Sequence, residues 1–524
     1  MLIIGAAFLV YLNSFGGPFI FDDIPSIRDN AKIRCLWPLT VPLNPPPKGA
    51  VQARPMVNLS FAINYALGGL EPWGYHVGNS FLHILASLVL YGVVRRTLIT
   101  EPLRAKYGPY ATKLALAVVT IWSVHPLITV SVAYISSRTE LLMGLFYLLT
   151  LYCAIRRAES PRGAGWTAAS IAACALGMAS KEVMVSAPLA VLLYDRIFLS
   201  RSFGEALRRR RALYIGLATT WLLLVPLSAG TTFSVRRGGG APFTVWEYGL
   251  TESEVIVHYL RLGFWPSPLV LDYYDWPVAR FSLALVACLA TVLGLLAATA
   301  RQLLSGRSTG FLGACFFLIL APTSSFLPLL GEVAAERRMY LPLAAVVALV
   351  VIVVWRALEA VPRRWVPTVC AVLAVAIFGS ASVRRNEQYG SALAIWSDTA
   401  SKRPYNPRAL TEVGTALVAL GRFSEATVYY EQATRVMPGY TMAYSNWGIA
   451  LAMQGRLAEA VGKLSEAVRR NPASASFHYN LGLALAKQGH VDQAVLEYQL
   501  ALQIDPSFNK ARDGLAGLSQ PPRG

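Results

Sequence analysis

Two adjacent acids, Asp22 and Asp23, follow the first apolar segment at once, in the run Pro18-Phe19-Ile20-Phe21-Asp22-Asp23-Ile24. A carboxylate at the edge of a lipid-embedded helix is costly unless it is paired or used. An adjacent pair can supply a general base, and it is also a candidate site for a divalent cation. The plainer reading is an interfacial turn that starts the next segment. The pair stands ahead of a long polar loop, which favours chemistry.

The sharpest basic element is Glu336-Arg337-Arg338-Met339-Tyr340. Guanidinium forks match phosphate oxygens in a bidentate way, so Arg337 and Arg338, with Tyr340 beside them, are candidate phosphate ligands. A lipid headgroup offers the same partner as a bound substrate. Further polar groups lie in or beside apolar segments: Arg54, His76, Asn79, His125, Arg138, Glu140, Lys181 and Glu182. Each has a structural alternative. His76 and Asn79 read equally well as helix caps, and Arg138 with Glu140 as an ion pair. Lys181-Glu182 reads as a tight hairpin held by a salt bridge. The stretch 57–70 reads as an interface-lying helix.

These residues need elements to hold them. Of 524 residues, 55% are hydrophobic and 15% charged, against about 25% charged in soluble domains. The net charge of +18 does not indicate nucleic-acid binding, because the basic residues fall in short clusters between apolar segments, where topology determinants belong. The six cysteines are scattered without a CxxC or a Cys/His cluster, so neither a disulfide framework nor a zinc site is expected. Met1 to Leu12 is short for a span and lacks the flanks of a signal peptide, which suggests a clipped first helix. The all-α fold expected is a polytopic membrane domain over 1–386 followed by an α-solenoid over 387–519. About eleven spans are expected, near 1–14, 77–94, 113–131, 140–155, 166–180, 183–199, 212–229, 281–300, 309–327, 339–356 and 365–382. Basic clusters at Arg95-Arg96, Arg156-Arg157, Arg201 with Arg208 to Arg211, Arg301 with Arg307, and Arg356 with Arg363-Arg364 then face the cytoplasm. The stretch 255–265 is expected to be interfacial or re-entrant. Loops 15–75, 136–140, 181–182, 231–254 and 331–340 share the opposite face with the tail.

The tail repeats every 34 residues. Gly414, Gly448 and Gly482 align, as do Ala426, Ala460 and Ala494, then Ala433, Ala467 and Ala501, then Pro438, Pro472 and Pro506. Tyr430, Leu464 and Tyr498 fall in register. This is the tetratricopeptide (TPR) period of paired helices. It divides the tail into a half repeat 387–406, repeats 407–440, 441–474 and 475–508, and a cap 509–519. Asn446 and Asn480 share a slot two residues before the repeat glycine, where they either contact an extended ligand or hydrate the groove.

Phe21-Asp22-Asp23, Arg54-Pro55-Met56, Trp73-Gly74-Tyr75-His76, Val124-His125-Pro126, Ile135-Ser136-Ser137-Arg138-Thr139-Glu140, Ser180-Lys181-Glu182 and Glu336-Arg337-Arg338-Met339-Tyr340-Leu341-Pro342 precede the TPR array. In this order they resemble the transmembrane and TPR-containing O-mannosyltransferases, within the GT-C glycosyltransferases. The resemblance covers nearly the whole chain. It implies that Asp22 and Asp23 are the catalytic element and that Arg337 and Arg338 contact a lipid phosphate. It implies a polyprenyl-phosphate sugar as donor, and an acceptor protein or peptide held by the TPR groove. It also implies an integral membrane protein; the charge clusters, not the resemblance, put the repeats on the periplasmic or lumenal side.

Elementary chemistry agrees with this. Transfer from a polyprenyl phosphate to a hydroxyl needs a base on the acceptor and a positive clamp on the phosphate, but no acid for the leaving group. Two other classes compete. A lipid-linked oligosaccharide ligase or polymerase would carry its catalytic basic residues in a large late loop. A non-enzymatic, membrane-anchored TPR scaffold would leave Asp22-Asp23 and Arg337-Arg338 without a purpose.

Overall fold

The computed structural model describes residues 1–47, 49–160, 163–228, 244–325, 332–359, 362–363 and 365–519, and its regular elements there are all helical. Parts of the loops read over 231–254 and 331–340, the ends of the spans read over 212–229 and 309–327, and Arg364 lie outside the described residues.

Among the described residues, four helices are long and apolar enough to cross a membrane: Pro72–Leu98, Ile135–Glu159, Leu283–Leu304 and Val366–Gln388. The number rises to six if each of two bent pairs is one span, Glu101–Ser123 with Pro126–Ala133 and Glu182–Leu199 with Phe203–Arg209. The expectation of about eleven spans is corrected accordingly. The other windows hold helices of 10–17 residues, Leu2–Ser14, Ala164–Met178, Arg211–Leu227, Thr309–Leu320 and Pro342–Leu358, shorter than the roughly 20 residues a span needs. The physical reason is that apolar composition runs on through points where the backbone stops. Pro126 has no N–H to continue the preceding helix, and the two halves there meet at 53°. Similarly, the last apolar window before the arginine pair ends as helix at Leu320, just ahead of Ala321-Pro322.

The stretch expected to be interfacial is the C-terminal part of a longer helix, Val245–Phe264. Thr244 and Glu247 form a reciprocal capping box at its start, which satisfies two of the orphan N–H groups of the first turn. It buries Tyr248, Glu252, Val255, Ile256, Tyr259 and Leu262, one face at helical spacing. Trp246 and Trp265 are exposed at its two ends.

The chain divides into two compact units. The first carries the apolar helices. In it the long first loop is ordered by an apolar cluster that includes Ile27, Ile33, Val51, Val57, Phe61, Tyr75 and Ile135. A buried amide pair reinforces it: Asn30 Nδ2 donates to Asn58 Oδ1 at 2.8 Å, and Asn58 Nδ2 to the Pro42 carbonyl at 2.7 Å.

The second unit contains the solenoid from Ala392 onward together with Val270–Trp276. Its helices are Ala392–Lys402, then the pairs Pro407–Ala419 with Phe423–Val436, Thr441–Met453 with Leu457–Arg470, and Ala475–Gln488 with Val491–Ile504, then Asn509–Ser519. The repeat glycines sit where the paired helix presses closest. A Cβ at Gly414 would stand 2.6 Å from the Tyr430 ring, at Gly448 2.5 Å from Leu464, and at Gly482 2.8 Å from Tyr498.

The segment Val270–Trp276 is bound to the first helices of this unit by charge. Asp272 accepts from Arg408 at 2.8 Å and from Asn406 at 2.9 Å, and Asp275 accepts from Arg403 at 2.6 Å. Arg403 also lies over the rings of Tyr273 and Trp276, and Arg408 over Tyr274. Asn406 in turn caps Pro407–Ala419 by accepting from the Ala409 N–H. These pairs are largely buried, so losing either partner is costly.

Close packing at the repeat glycines predicts a signed contrast. Gly448→Ala should destabilise its helix pair by about 1–3 kcal/mol through overpacking. Gly462→Ala, where nothing lies within 4 Å of the added Cβ, should stabilise by roughly 0.5–1 kcal/mol through helix propensity alone. Hydrogen exchange of helices Thr441–Met453 and Leu457–Arg470 in each variant checks both signs.

Candidate functional site

The two acids of the first loop have different surroundings. Asp23 is 1% exposed. Its Oδ2 accepts from the Ile20 N–H at 3.0 Å, and its Oδ1 from the Ser136 N–H at 2.7 Å and from the Ser136 hydroxyl. Burial pushes its carboxyl up to about 7, against the pull of these hydrogen bonds. Asp23 therefore ties the first loop to the break between Thr129–Ala133 and Arg138–Glu159.

Asp22 is half-buried, and its own N–H donates to the Tyr134 hydroxyl at 3.0 Å. The residue before it, Phe21, has φ +44°, a left-handed conformation that a bulky side chain rarely takes. Strain of this kind persists only where surrounding contacts impose it. Here the Asp23 carboxylate and the Tyr134 hydroxyl hold the turn on both sides.

The arginine pair also divides. Glu336–Met339 is a short 3₁₀ helix. Arg338 is buried and donates to the carbonyls of Glu332 at 2.7 Å and Val333 at 2.8 Å, with the Ser324 hydroxyl at 3.4 Å and Glu252 at 3.6 Å. Its expected role as a phosphate ligand is corrected, because protein groups already occupy its donors. Tyr340 is corrected for the same reason. It is fully buried, its hydroxyl lies 3.0 Å from His83 Nδ1, and its ring packs on Trp122. Arg337 is the more open of the two arginines, with 22% of its side chain exposed, and it pairs with Glu332. Burial works against its charge, but Glu332, Tyr134 and Asp22 together hold its pKa above the ordinary value. Asp22, Tyr134 and Arg337 thus share one electrostatic neighbourhood, to which the first loop, a helix break and the late 3₁₀ helix each contribute a residue.

The other expected site residues are mostly structural. Arg138 makes no ion pair with Glu140. It donates to Asn79 Oδ1 and the Tyr75 carbonyl, each at 2.7 Å, and to Asn64, and it lies over the Phe61 ring. Asn79 donates to the Val132 and Ile135 carbonyls, which places it inside the packing rather than at a helix cap. Pro72–Leu98 begins before both Asn79 and His76, and the His76 Nε2 lies 3.1 Å from the Gly17 carbonyl. His125 caps the short helix Pro126–Ile128 through Nδ1 and contacts the Gly263 carbonyl through Nε2. Lys181 forms a buried ion pair with Glu140, and Glu182 pairs with Arg54 at 3.4 Å.

The acid pair does not fit a divalent cation. Both Asp23 oxygens are taken by donors, and among the described residues no three His, Cys, Asp or Glu side chains are grouped to hold a metal. Sequence reasoning missed Ser136, Tyr134, Glu252 and Glu332. Ser136 and Tyr134 stood within or beside the quoted motifs, and Glu252 was hidden in a stretch read as loop. In the second unit, Asn446 Nδ2 donates to Thr415 Oγ1 and Asn480 Nδ2 to Ser445 Oγ, each at 3.2 Å. Both amides brace the preceding repeat.

Residues 50–229 match the family described as dolichyl-phosphate-mannose-protein mannosyltransferase, and 411–472 and 445–507 match the tetratricopeptide repeat. The protein O-mannosyl-transferase Tmtc2 of Drosophila melanogaster is 29% identical over 332 residues, covering 57% of this chain and 34% of the relative. Human TMTC4 is 27% identical over 495 residues, covering 82% and 65%. This chain is similar in sequence to the transmembrane and TPR-containing O-mannosyltransferases. It spans about a third to two thirds of the length of these relatives. Asp22, Asp23, Arg337 and Arg338 fall outside the residues that match the mannosyltransferase family, whereas Arg54 to Glu182 fall within them. The structure of ArnT from Cupriavidus metallidurans bound to undecaprenyl phosphate is 12% identical with a TM-score of 0.40, over 91% of this chain and 80% of that one. That likeness is too remote to bear on fold or chemistry.

The raised carboxyl of Asp23 gives a pH prediction. Below the ordinary carboxylate value, folded and unfolded states both hold the proton. Between that value and about 7 the folded state holds more, so stability falls as pH rises through this window. The thermal midpoint of the whole chain in detergent should fall more steeply between about pH 4 and pH 7, the span from the ordinary carboxylate value to the raised one, than that of Asp23→Asn. Parallel curves would contradict the assignment.

Proposed function

We propose that this chain is a membrane glycosyltransferase that moves a sugar, mannose in its relatives' names, from a polyprenyl-phosphate donor to Ser or Thr hydroxyls of a protein. The observation that carries this reading is an acid and a cation that are both partly open: Asp22, tied to the Tyr134 hydroxyl, and Arg337, paired with Glu332 and further favoured as a cation by Tyr134 and Asp22. Asp22 is the base. It takes the acceptor hydroxyl proton as the oxygen attacks the anomeric carbon from the face opposite the phosphate. The anomeric C–O bond to phosphate breaks and the configuration inverts. The leaving polyprenyl phosphate gains a second negative charge, which Arg337 stabilises. Asp23 does not touch substrate and acts by fixing the turn that presents Asp22.

A non-cytoplasmic site and repeats are our reading of the charge pattern: Pro72–Leu98, Arg138–Glu159, Leu283–Leu304 and Pro342–Leu358 carry arginine in their last turns, while Arg385 in the last turn of Val366–Gln388 runs against it. The first four ends belong to the cytoplasm by the positive-inside rule. The concave face of the array, with Asn446 and Asn480, would hold the acceptor.

Asp22→Asn should keep the fold and lower kcat by about 10²-fold or more, the scale of a positioned base. Arg337→Ala should raise the donor KM by more than about tenfold and leave the acceptor KM alone. Steady-state kinetics with donor and acceptor varied separately decide both. Near-normal activity in Asp22→Asn would sink the mechanism.

Orientation has its own check. Native Cys35, exposed in the first loop, should react with an impermeant thiol reagent from outside intact vesicles. In a Cys35→Ala background, Ser474→Cys should do the same, while Ser305→Cys should react only after permeabilisation. The reverse pattern would overturn the topology.

A further inference from the structure

The helix Val245–Phe264 presents Tyr248, Glu252 and Tyr259 on one face, four and then seven residues apart. All three reach the chain that leads into the arginine pair. The Tyr248 hydroxyl donates to the Thr323 carbonyl at 3.3 Å, and the Tyr259 hydroxyl accepts from the Ala335 N–H at 2.7 Å. Between these anchors, Glu252 faces Arg338 at 3.6 Å, with side chains 2% and 7% exposed. Arg338 is thus the centre of a buried latch. It gathers the carbonyls of Glu332 and Val333, the Ser324 hydroxyl and the Glu252 carboxylate.

This latch bears on the site through Glu332. The Glu332 carboxylate pairs with Arg337, while its carbonyl accepts from Arg338. A buried guanidinium without a countercharge is strongly unfavourable, and Glu332 is the neighbouring acid to which Arg338 would turn. Glu252 faces Arg338 as that countercharge, although burial pushes its own carboxyl up to about 7 against the pull of Arg338, and so leaves Glu332 to Arg337.

We propose that Glu252 is a positioning residue for phosphate recognition: by neutralising Arg338 it fixes the Glu332–Arg337 pair in the orientation that meets the donor phosphate. This rests on the reading of Arg337 as the donor contact given above. Glu252 touches no reacting atom, and it acts on donor binding alone.

The test uses the full chain in nanodiscs, with a polyprenyl phosphate lacking sugar as the binding probe and transfer kinetics alongside. Glu252→Gln keeps the shape and removes the charge. It should lower the thermal midpoint, weaken probe binding and raise the donor KM by about tenfold, with the acceptor KM close to wild type. Glu252→Asp should restore most of the loss. An unchanged donor KM, or donor and acceptor KM rising together, overturns the proposal. If Glu252→Gln does not fold, Tyr259→Phe removes only the Ala335 contact. A rise of about threefold in donor KM alone supports the latch, and no change in the folded variant overturns it. Wild type that fails to bind the probe would instead remove the transferase reading itself.

Discussion

The first unit depends on one buried carboxylate. Asp23 collects N–H groups from Ile20 and from Ser136, the latter 113 residues away along the chain, with the Ser136 hydroxyl as a third donor. Without it the left-handed Phe21 turn keeps the bond from the Asp22 N–H to the Tyr134 hydroxyl and loses the carboxylate on its other side. The more buried acid has both oxygens taken by protein donors, and its neighbour is the more open of the two.

The same division runs through the cations. In a low-dielectric interior each charge must be met by a countercharge or by several oriented dipoles. Arg138 is met mainly by carbonyl and amide oxygens, Lys181 by Glu140, Arg338 by carbonyls with Glu252, and Arg210 by Asp195. Arg337 is met by Glu332 yet stays partly exposed.

How much was legible follows the range of the interactions. The TPR columns could be read in full, because each glycine meets a residue 16 positions on within its own repeat, Gly414 with Tyr430 and Gly482 with Tyr498. The place of the acid pair was legible too. Its inequality was not, since it depends on Ser136 and Tyr134, far away in sequence. Residue type suggested phosphate ligands at Arg338 and Tyr340, but type says nothing of which partners are reached first. Glu252 carried a faint signal, an acid on the same helical face as Tyr248 and Tyr259, and a loop assignment concealed it. Apolar windows located the membrane segments but not their lengths, which proline and the turns set.

The segment Val270–Trp276 changes what counts as the solenoid. It is encoded well upstream of Ala392, yet its acids hold Arg403, Asn406 and Arg408. During synthesis these acids emerge more than a hundred residues before their partners, so the first helix pair cannot be sealed until an intervening stretch of apolar chain has been made. A shuffled gene that moved the repeats at the 391–392 junction would carry the arginines away and leave their acids behind. Inheritance of this array as a module therefore requires two cuts in the chain rather than one.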